Sequence, residues 1–362
     1  MTYLFYFGHP AQFHFYKNIV KALKEEDNNV FLFIKKKDVL EELVKETGWE
    51  YQNILPNERN KSKLSTFLSI LKRDIIISKK VIRHRPDLLI SSDPSFSHVG
   101  YFFRIPCLNF IDDDSDAAGY YAGITYPFSK VIITPWSVKV GRWEKKRIRY
   151  KGFMKLAYLH PNWYVPEVLK IGKLTSKGYF LIRLSGLDAH HDSGKQGIKS
   201  STLRTIINSL TSYGAVYISS ERPVEKEFEK YQFNFHPTDM HTILFHSKAL
   251  ISDSQSMSGE AAMLGVPSIR ISSFKGKLSV LEELEHIYNL TFGFSPDNIN
   301  GIIEKITELL ETPDLDEIFQ KRRNAMLEKN IDVTAFCIWF IKNYPDSLSI
   351  MDRNPEYADK FL

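Results

Sequence analysis

The chain has 362 residues, 43% of them hydrophobic and 25% charged, which is the balance of a soluble globular protein. This length fits two domains of ordinary size. Only two cysteines occur, Cys107 and Cys337, so we expect a reducing cytoplasm and no disulfide framework. The N-terminus lacks the features of a signal peptide, and no apolar run reaches the roughly 20 residues that span a bilayer.

The net charge of +5 is unevenly distributed. Segment 61–85 carries eight basic residues and one acid, and segment 139–151 carries seven and one. The first segment also has apolar residues at helical spacing, which predicts an amphipathic helix. Such a helix could rest at the inner face of an anionic membrane, or it could be a core-facing helix with a solvated basic face. No recognised nucleic-acid-binding motif accompanies the charge, so nucleic acid is not an expected partner.

Strands and helices alternate along the first half of the chain. We predict strands at 3–7, 30–34, 88–91, 107–111 and 130–134, and helices at 13–25, 37–47 and 63–85. This alternation is typical of a parallel sheet with helices on both faces.

The same pattern restarts after a Pro-, Trp- and Tyr-rich stretch at 158–177, which we interpret as a connection between domains. Strands are predicted at 179–183, 215–219, 249–252 and 268–270, and helices at 199–213, 240–246, 257–264, 278–284, 299–311, 315–329 and 333–343. We therefore expect an α/β protein with two Rossmann-like parallel-sheet lobes facing a cleft. The first domain is predicted at 1–155 and the second at 156–332, with 333–362 packing back on the first. Ligands of such sheets lie at the carboxyl ends of the strands.

Segment 251–271 has the composition of a phosphate-binding turn. A predicted strand ends in Ser252-Asp253, a loop of small polar residues follows, and a helix begins around Met257. Small residues let backbone N–H groups approach a phosphate, and the start of a helix favours an anion. Glu260, one turn into the helix, can accept both hydroxyls of a ribose. The alternative is an ordinary strand–loop–helix unit with a serine cap.

This segment resembles the nucleotide-binding motif of GT-B glycosyltransferases and of UDP-N-acetylglucosamine 2-epimerases. The matching positions are Asp253, Ser254, Glu260, Gly265 and Pro267. Weaker matches over most of the chain resemble an uncharacterised GT-B-like family, domain of unknown function 354; they include Gly8-His9, Pro86-Asp87-Leu88, the acidic run at Asp112, Gly152 and Arg183. The resemblance implies a GT-B-like fold with a nucleotide sugar, most simply a UDP-sugar, in the second domain. It places Glu260 at the ribose and Ser254, Ser256, Ser258 and Gly259 beside the diphosphate, with Asp253 at the start of the loop.

The turn after the first predicted strand is a second candidate region. In GT-B enzymes the corresponding loop, here Gly8-His9-Pro10, approaches the donor diphosphate or the acceptor. His9 could donate a hydrogen bond to phosphate or act as a base, or it could be a structural residue of the turn. Asp93 matches in position an Asp of the epimerases, and a helix N-cap is its alternative role.

The acidic run at 112–116 contains Asp112 and Asp114 and follows a predicted strand. Clustered carboxylates are candidates for a general base, and Asp112 matches a catalytic Glu of the epimerases. A divalent metal site and a solvated acidic loop are the alternatives. Arg183 could bind a diphosphate from the end of its strand or form a surface ion pair. The cluster at 188–192 does not have the ligand spacing of a zinc site, and we interpret it as a polar loop.

The sequence departs from the epimerase pattern at two places. Leu-Ser-Gly at 184–186 stands where the epimerases carry His-Arg, and 117–129 lacks their Glu-rich helix. We therefore expect a glycosyltransferase of polysaccharide biosynthesis, acting on a surface-polysaccharide or lipid-linked glycan acceptor, with neither metal nor cofactor. The alternatives are a 2-epimerase-like enzyme and a non-catalytic protein that binds sugar nucleotides or glycans.

Overall fold

A computed structural model of the protein describes residues 1–55, 63–167, 174, 178–186 and 197–362. The cluster at 188–192 and parts of segments 61–85 and 158–177 lie outside these described residues. The chain forms two compact units: Met1–Tyr158 together with Asn330–Leu362, and Leu159–Lys329. Each unit has its own parallel sheet, which confirms the predicted fold class of two Rossmann-like α/β lobes.

The first unit contains a seven-stranded parallel sheet in the order β3-β2-β1-β4-β5-β6-β7. The strands are β1 Thr2–Phe7, β2 Asn29–Lys35, β3 Gln52–Leu55, β4 Leu88–Ile90, β5 Cys107–Phe110, β6 Val131–Pro135 and β7 Arg147–Tyr150. The strand order reverses between β1 and β4. In doubly wound sheets, ligands bind beyond the carboxyl ends of the strands at this point of reversal.

The first unit contains helices from the N-terminal half of the chain and two helices from its C-terminal end. They are α1 Pro10–Glu25, α2 Leu40–Lys45, α3 Lys63–His84, α4 Pro94–Phe103, α5 Gly119–Thr125, α6 Leu156–Leu159 at the unit boundary, and, after α7 to α12 of the second unit, α13 Val333–Lys342 and α14 Asp346–Arg353. The α13 side chains Phe336, Cys337 and Phe340 are fully buried. The C-terminal residues are therefore part of the first unit's core.

The second unit contains a five-stranded parallel sheet in the order β12-β11-β10-β8-β9. Its strands are β8 Tyr179–Leu184, β9 Ala215–Ser220, β10 Leu250–Ser252, β11 Ser268–Ile271 and β12 Thr291–Phe294, and its helices are α7 Ser200–Leu210, α8 Met240–Phe245, α9 Gln255–Leu264, α10 Ser279–His286, α11 Ile299–Glu311 and α12 Leu315–Leu327. Here the order reverses between β8 and β10, so the ends of these two strands are the expected binding position. Among the described helices, none is both long enough and apolar enough to cross a membrane.

Candidate functional site

The turn from β10 into α9 lies at the reversal point of the second sheet. Ser252 of β10 pairs in register with Arg183 of β8, and Ser254 is the N-cap of α9, its hydroxyl accepting from the Met257 N–H at 3.3 Å. The helix therefore begins at Gln255, two residues before the predicted start, because the serine cap already fixes the first turn. It ends at Gly265, whose φ of 68° is the left-handed conformation that favours glycine.

The three serines predicted to meet a diphosphate have different surroundings. Ser254 and Ser256 are half-buried in the first turn of α9, whereas Ser258 is buried. The Ser258 hydroxyl donates to the Ser254 carbonyl at 3.0 Å, within the helix. The first N–H groups of a helix have no intrahelical acceptor. A phosphate at this turn would therefore meet backbone N–H groups and the Ser254 and Ser256 side chains before it met Ser258.

Glu260 is buried beside His241, a residue that was not among the predicted site residues. His241 of α8 places its Nε2 atom 3.6 Å from Glu260 Oε1, and both side chains are almost fully buried. The Tyr164 ring packs edge-on against His241, and its hydroxyl lies 3.2 Å from Thr242 Oγ1. His241 and Glu260 lie on consecutive helices with β10 between them, so no helical or strand spacing signals this pair. The imidazole is therefore the near neighbour of the carboxylate that the resemblance assigns to the ribose.

Asp253 holds three separate segments at the end of the sheet. Its carboxylate, which is inaccessible to solvent, accepts from the Ser185 N–H at 2.6 Å and the Ile198 N–H at 3.2 Å. Arg222 also donates to it, at 2.8 Å. Both carboxylate oxygens are therefore occupied by protein donors, which favours a positioning role for Asp253. Arg222 was not selected from the sequence because nothing local links it to Asp253.

Arg183 forms an ion pair, which was the alternative to diphosphate binding in the sequence analysis. Its guanidinium donates to Ser219 Oγ at 2.5 Å and forms a short ion pair with Glu221. Glu221 in turn accepts from the Gly186 N–H at 2.9 Å. In this arrangement Arg183 ties the ends of β8 and β9 together.

A buried arginine lies next to the start of α9. Arg270 of β11 is 1% exposed; it donates to Glu282 at 3.1 Å, to Glu285 at 3.0 Å and to Gln255 at 3.4 Å. Burial raises the pKa of Glu282, but the hydrogen bonds from Arg270 and from the Gly276 N–H outweigh it and hold that pKa below the usual 4.5. The two carboxylates offset the buried charge of Arg270 and fix Gln255 in the first turn of α9.

Gly8 and His9 follow β1 at the reversal point of the first sheet. The Gly8 N–H donates to Gln12 Oε1 at 2.6 Å. His9 is the N-cap of α1, with Pro10 in the first helical turn, and its Nδ1 atom accepts from the Ala11 N–H at 3.2 Å. An accepting Nδ1 assigns the proton of the neutral ring to Nε2. The exposed His9 ring is therefore arranged to donate a hydrogen bond through Nε2.

Asp93 follows β4, the neighbouring strand, and is the N-cap of α4. One carboxylate oxygen accepts from the Ser95 N–H at 2.9 Å, and the other lies 3.2 Å from Arg73 of α3. Both Asp93 and Arg73 are buried. The N-cap alternative is thus the observed arrangement, and a buried ion pair accompanies it.

The acidic run after β5 is held by the protein at two of its carboxylates. Asp112 is half-buried and forms a short ion pair with Lys155, while the buried Asp114 accepts from the Lys139 N–H at 2.7 Å. Within the described residues, no group of three or more acidic, His or Cys side chains is placed to hold a metal ion. Asp112 remains the more accessible of these two acids.

Solved structures similar to the chain include proteins that bind or act on sugar nucleotides. The S. aureus MnaA–UDP co-structure has a TM-score of 0.68 at 13% identity, covering 96% of this chain and 98% of that chain. The UDP-GlcNAc 2-epimerase from Neisseria meningitidis, bound to UDP-GlcNAc, has a TM-score of 0.61 at 14% identity, covering 90% and 94%. CalG4, the calicheamicin glycosyltransferase, has a TM-score of 0.58 at 12% identity, covering 95% and 100%. These likenesses establish the fold that the chain shares with epimerases and GT-B glycosyltransferases.

No curated protein sequence is significantly similar to the chain. The family described as protein of unknown function DUF354 matches residues 8–333, which is nearly the whole chain. A match of this extent assigns the family directly: the protein belongs to the DUF354 family.

Proposed function

We propose that this DUF354 protein transfers a sugar from a nucleotide-activated donor, a UDP-sugar, to a hydroxyl of a glycan or lipid-linked acceptor. The observation that carries the proposal is the turn from β10 into α9, with the buried Glu260 one turn into the helix. It lies at the reversal point of a doubly wound sheet, where nucleotides bind in such folds. The UDP and UDP-GlcNAc bound to two of the similar structures support the same ligand class.

The second unit supplies the groups for the nucleotide. Backbone N–H groups at the start of α9, with Ser254 and Ser256, would hold the diphosphate. Glu260, which lies beside His241, would accept the ribose hydroxyls. As the bond from the sugar to the diphosphate breaks, the field of the helix N-terminus would stabilise the charge on the leaving nucleotide. Asp253 and Arg183 would act indirectly, by holding the surrounding loops.

Asp112 is the acid that we assign as the general base. Asp93 and Asp114 are buried and hydrogen-bonded to backbone N–H groups, whereas Asp112 is half-buried and oriented by Lys155. The Asp112 carboxylate would take the proton of the acceptor hydroxyl as its oxygen bonds to the anomeric carbon, and the nucleoside diphosphate would leave. His9, with its proton on Nε2, would donate to a phosphate or an acceptor oxygen.

The surroundings of Asp93 favour transfer over 2-epimerisation. Asp93 stands where the epimerases carry an Asp, yet its carboxylate is engaged with Arg73 and the Ser95 N–H. The His-Arg pair of the epimerases is also replaced, by Leu-Ser-Gly at 184–186.

Calorimetric titration with UDP tests the nucleotide site. Glu260→Gln should weaken UDP binding by at least about tenfold, because hydrogen bonds to a charged acceptor contribute about 1.5–3 kcal/mol each. Glu317→Gln, which removes an exposed carboxylate of the same unit, is the matched control and should bind UDP normally. Equal affinity of wild type and Glu260→Gln would refute the assignment.

Incubation with UDP-GlcNAc, with and without a panel of glycan and lipid-linked acceptors, tests the reaction. We expect acceptor-dependent release of UDP, and in Asp112→Asn a loss of turnover of about 100-fold or more with UDP affinity retained. Epimer or free sugar formed without acceptor would instead assign a 2-epimerase. UDP binding with no turnover on any acceptor would assign a binding protein.

A further inference from the structure

Helix α3 of the first unit has an apolar stripe that the core does not cover. Among its described side chains, Ile70, Ile77 and Val81 are buried, and Ile77 and Val81 belong to a core cluster with residues of the sheet. On the opposite side, four aliphatic side chains are exposed: Leu68 by 55%, Leu71 by 43%, Ile75 by 59% and Ile82 by 62%. At about 100° per residue, these four fall within an arc of about 60°. They therefore form one continuous apolar stripe facing solvent.

Basic side chains line one edge of this stripe. Lys72, Lys79 and Arg83 are exposed and fall in the adjacent arc, about 20° to 60° from Leu68. The only acid in the α3 sequence, Asp74, lies beyond the other edge and bonds to His98 of α4 at 3.1 Å. The exposed face of α3 is thus half aliphatic and half cationic.

Helix α4 extends the apolar part of this face. The Asp74–His98 contact links the two helices on the apolar side of the stripe, and Tyr101 and Phe102 follow on α4 with 67% and 80% exposure. Phe128 packs edge-on against Tyr101, with the ring centroids 5.5 Å apart. Aromatic rings of this kind are favoured at the boundary between headgroups and acyl chains.

We propose that the α3–α4 surface, defined by the α3 stripe, its basic edge and the α4 aromatics, binds the headgroup region of an anionic lipid bilayer. With α3 lying parallel to the membrane, the aliphatic arc and the aromatic rings enter the interface while the basic arc meets lipid phosphates. Charge complementarity favours an anionic partner, because the basic half of α3 contains no acidic residue of the same helix that could neutralise it. The proposal is independent of the nucleotide site, since none of these residues lies at the ends of β1, β4, β5, β8 or β10.

Co-sedimentation with phospholipid vesicles tests the apolar part of the surface. The wild-type protein should bind phosphatidylcholine vesicles containing phosphatidylglycerol more tightly than phosphatidylcholine alone, and binding should weaken as salt is added. The double variant Ile75→Glu/Phe102→Glu should lose at least tenfold in partitioning (about tenfold per 1.4 kcal/mol). Ile287→Glu is the matched control, because Ile287 is equally exposed, at 63%, but belongs to the second unit.

A charge-reversal pair tests the basic edge. Lys72→Glu/Lys79→Glu should reduce binding to anionic vesicles by at least about tenfold, whereas Lys321→Glu/Lys329→Glu, with the same change in net charge, should not. Unchanged UDP binding and circular dichroism would show that the variants fold. Equal vesicle binding by all variants would overturn the proposal. It would also be overturned by a dimer, detected by light scattering, that Ile75→Glu dissociates, since a second copy of the chain would then be the occupant.

Discussion

At the scale of single residues, Gly197 makes possible the contacts of Asp253. A Cβ atom added at Gly197 would overlap with Asp253 Oδ2, so one of the two groups would have to shift. Gly197→Ala should therefore displace the carboxylate from the Ile198 N–H and from Arg222. We expect a loss of about 1–3 kcal/mol in the free energy of unfolding, measured by urea denaturation, together with weaker UDP binding.

Gly123→Ala is the control for this substitution. Gly123 lies within α5, and a Cβ atom there would meet nothing within 4 Å. Because alanine has the higher helix propensity, Gly123→Ala should raise the free energy of unfolding by about 0.5–1 kcal/mol. If the two variants lost equal stability, steric conflict with Asp253 could not be the cause.

At the scale of secondary-structure elements, His98 links α4 to both α3 and α5. Its Nδ1 atom lies 3.1 Å from Asp74, and its Nε2 atom lies 2.7 Å from the Ile124 carbonyl. Burial lowers the pKa of His98, but the hydrogen bonds to Asp74 and the Ile124 carbonyl outweigh it and raise the pKa above 6.5. A raised histidine pKa gives stability that is fully present below the unfolded value and is lost as the pH rises through the folded value.

The stabilisation from His98 should consequently depend on pH. His98→Gln should lower the free energy of unfolding by about 1–3 kcal/mol near pH 6, and by less near pH 9, where wild-type His98 has also lost its charge. Urea denaturation at both pH values measures this difference. His236→Gln, at an exposed histidine of the second unit whose Nδ1 atom lies 2.7 Å from Thr238 Oγ1, should show little change at either pH. A pH-independent effect of His98→Gln would mean that packing, and not charge, is lost.

The elements that the sequence predicted are those whose physical signal is local. Inner strands such as β1 and β6 are continuous apolar runs because both faces of a parallel sheet are covered, and they were predicted correctly. Of the four edge strands in the two sheets, the six-residue β9 was predicted, whereas β3, β7 and β12 were missed. Each is only four residues long, and polar or half-buried residues alternate with buried ones.

The residues of the candidate site likewise divide into those with a local sequence signal and those without one. Chain order alone places Asp93, Asp112 and Asp253 at strand ends, so these positions could be predicted. Their partners are distant in sequence: Arg73 meets Asp93, and Arg222 meets Asp253. A single sequence carries no signal for such contacts, and for this reason His241 was not predicted either.

At the scale of the whole molecule, the first unit is built from both ends of the chain. The Ile331 N–H donates to the Lys151 carbonyl at 2.9 Å, and the Thr334 hydroxyl donates to the Ala157 carbonyl at 2.6 Å. Beyond these bonds, Phe336 and Phe340 of α13 are fully buried. The first unit is therefore expected to depend on the last 33 residues, Asn330–Leu362, for its stability.

Truncating one of these buried rings tests that dependence. Phe336→Ala should destabilise the first unit by about 3–5 kcal/mol, because it leaves a cavity in a closely packed core. Proteins of more than one domain need not unfold in a single step, so amide hydrogen exchange read by mass spectrometry is the appropriate measurement. Peptides from Met1–Tyr158 should lose more protection than peptides from the described part of Leu159–Lys329.

A matching substitution in the second unit, Phe319→Ala, is the control for Phe336→Ala. Phe319 of α12 is also fully buried, but it packs within the second unit, with its ring 6.3 Å from that of Phe292. Phe319→Ala removes the same side chain from an equally closed environment, so it should lower protection mainly in peptides of Leu159–Lys329. If each variant instead lowered protection equally in both units, the two cores would unfold as one cooperative body. Residues Asn330–Leu362 would then support the whole chain and not the first unit alone.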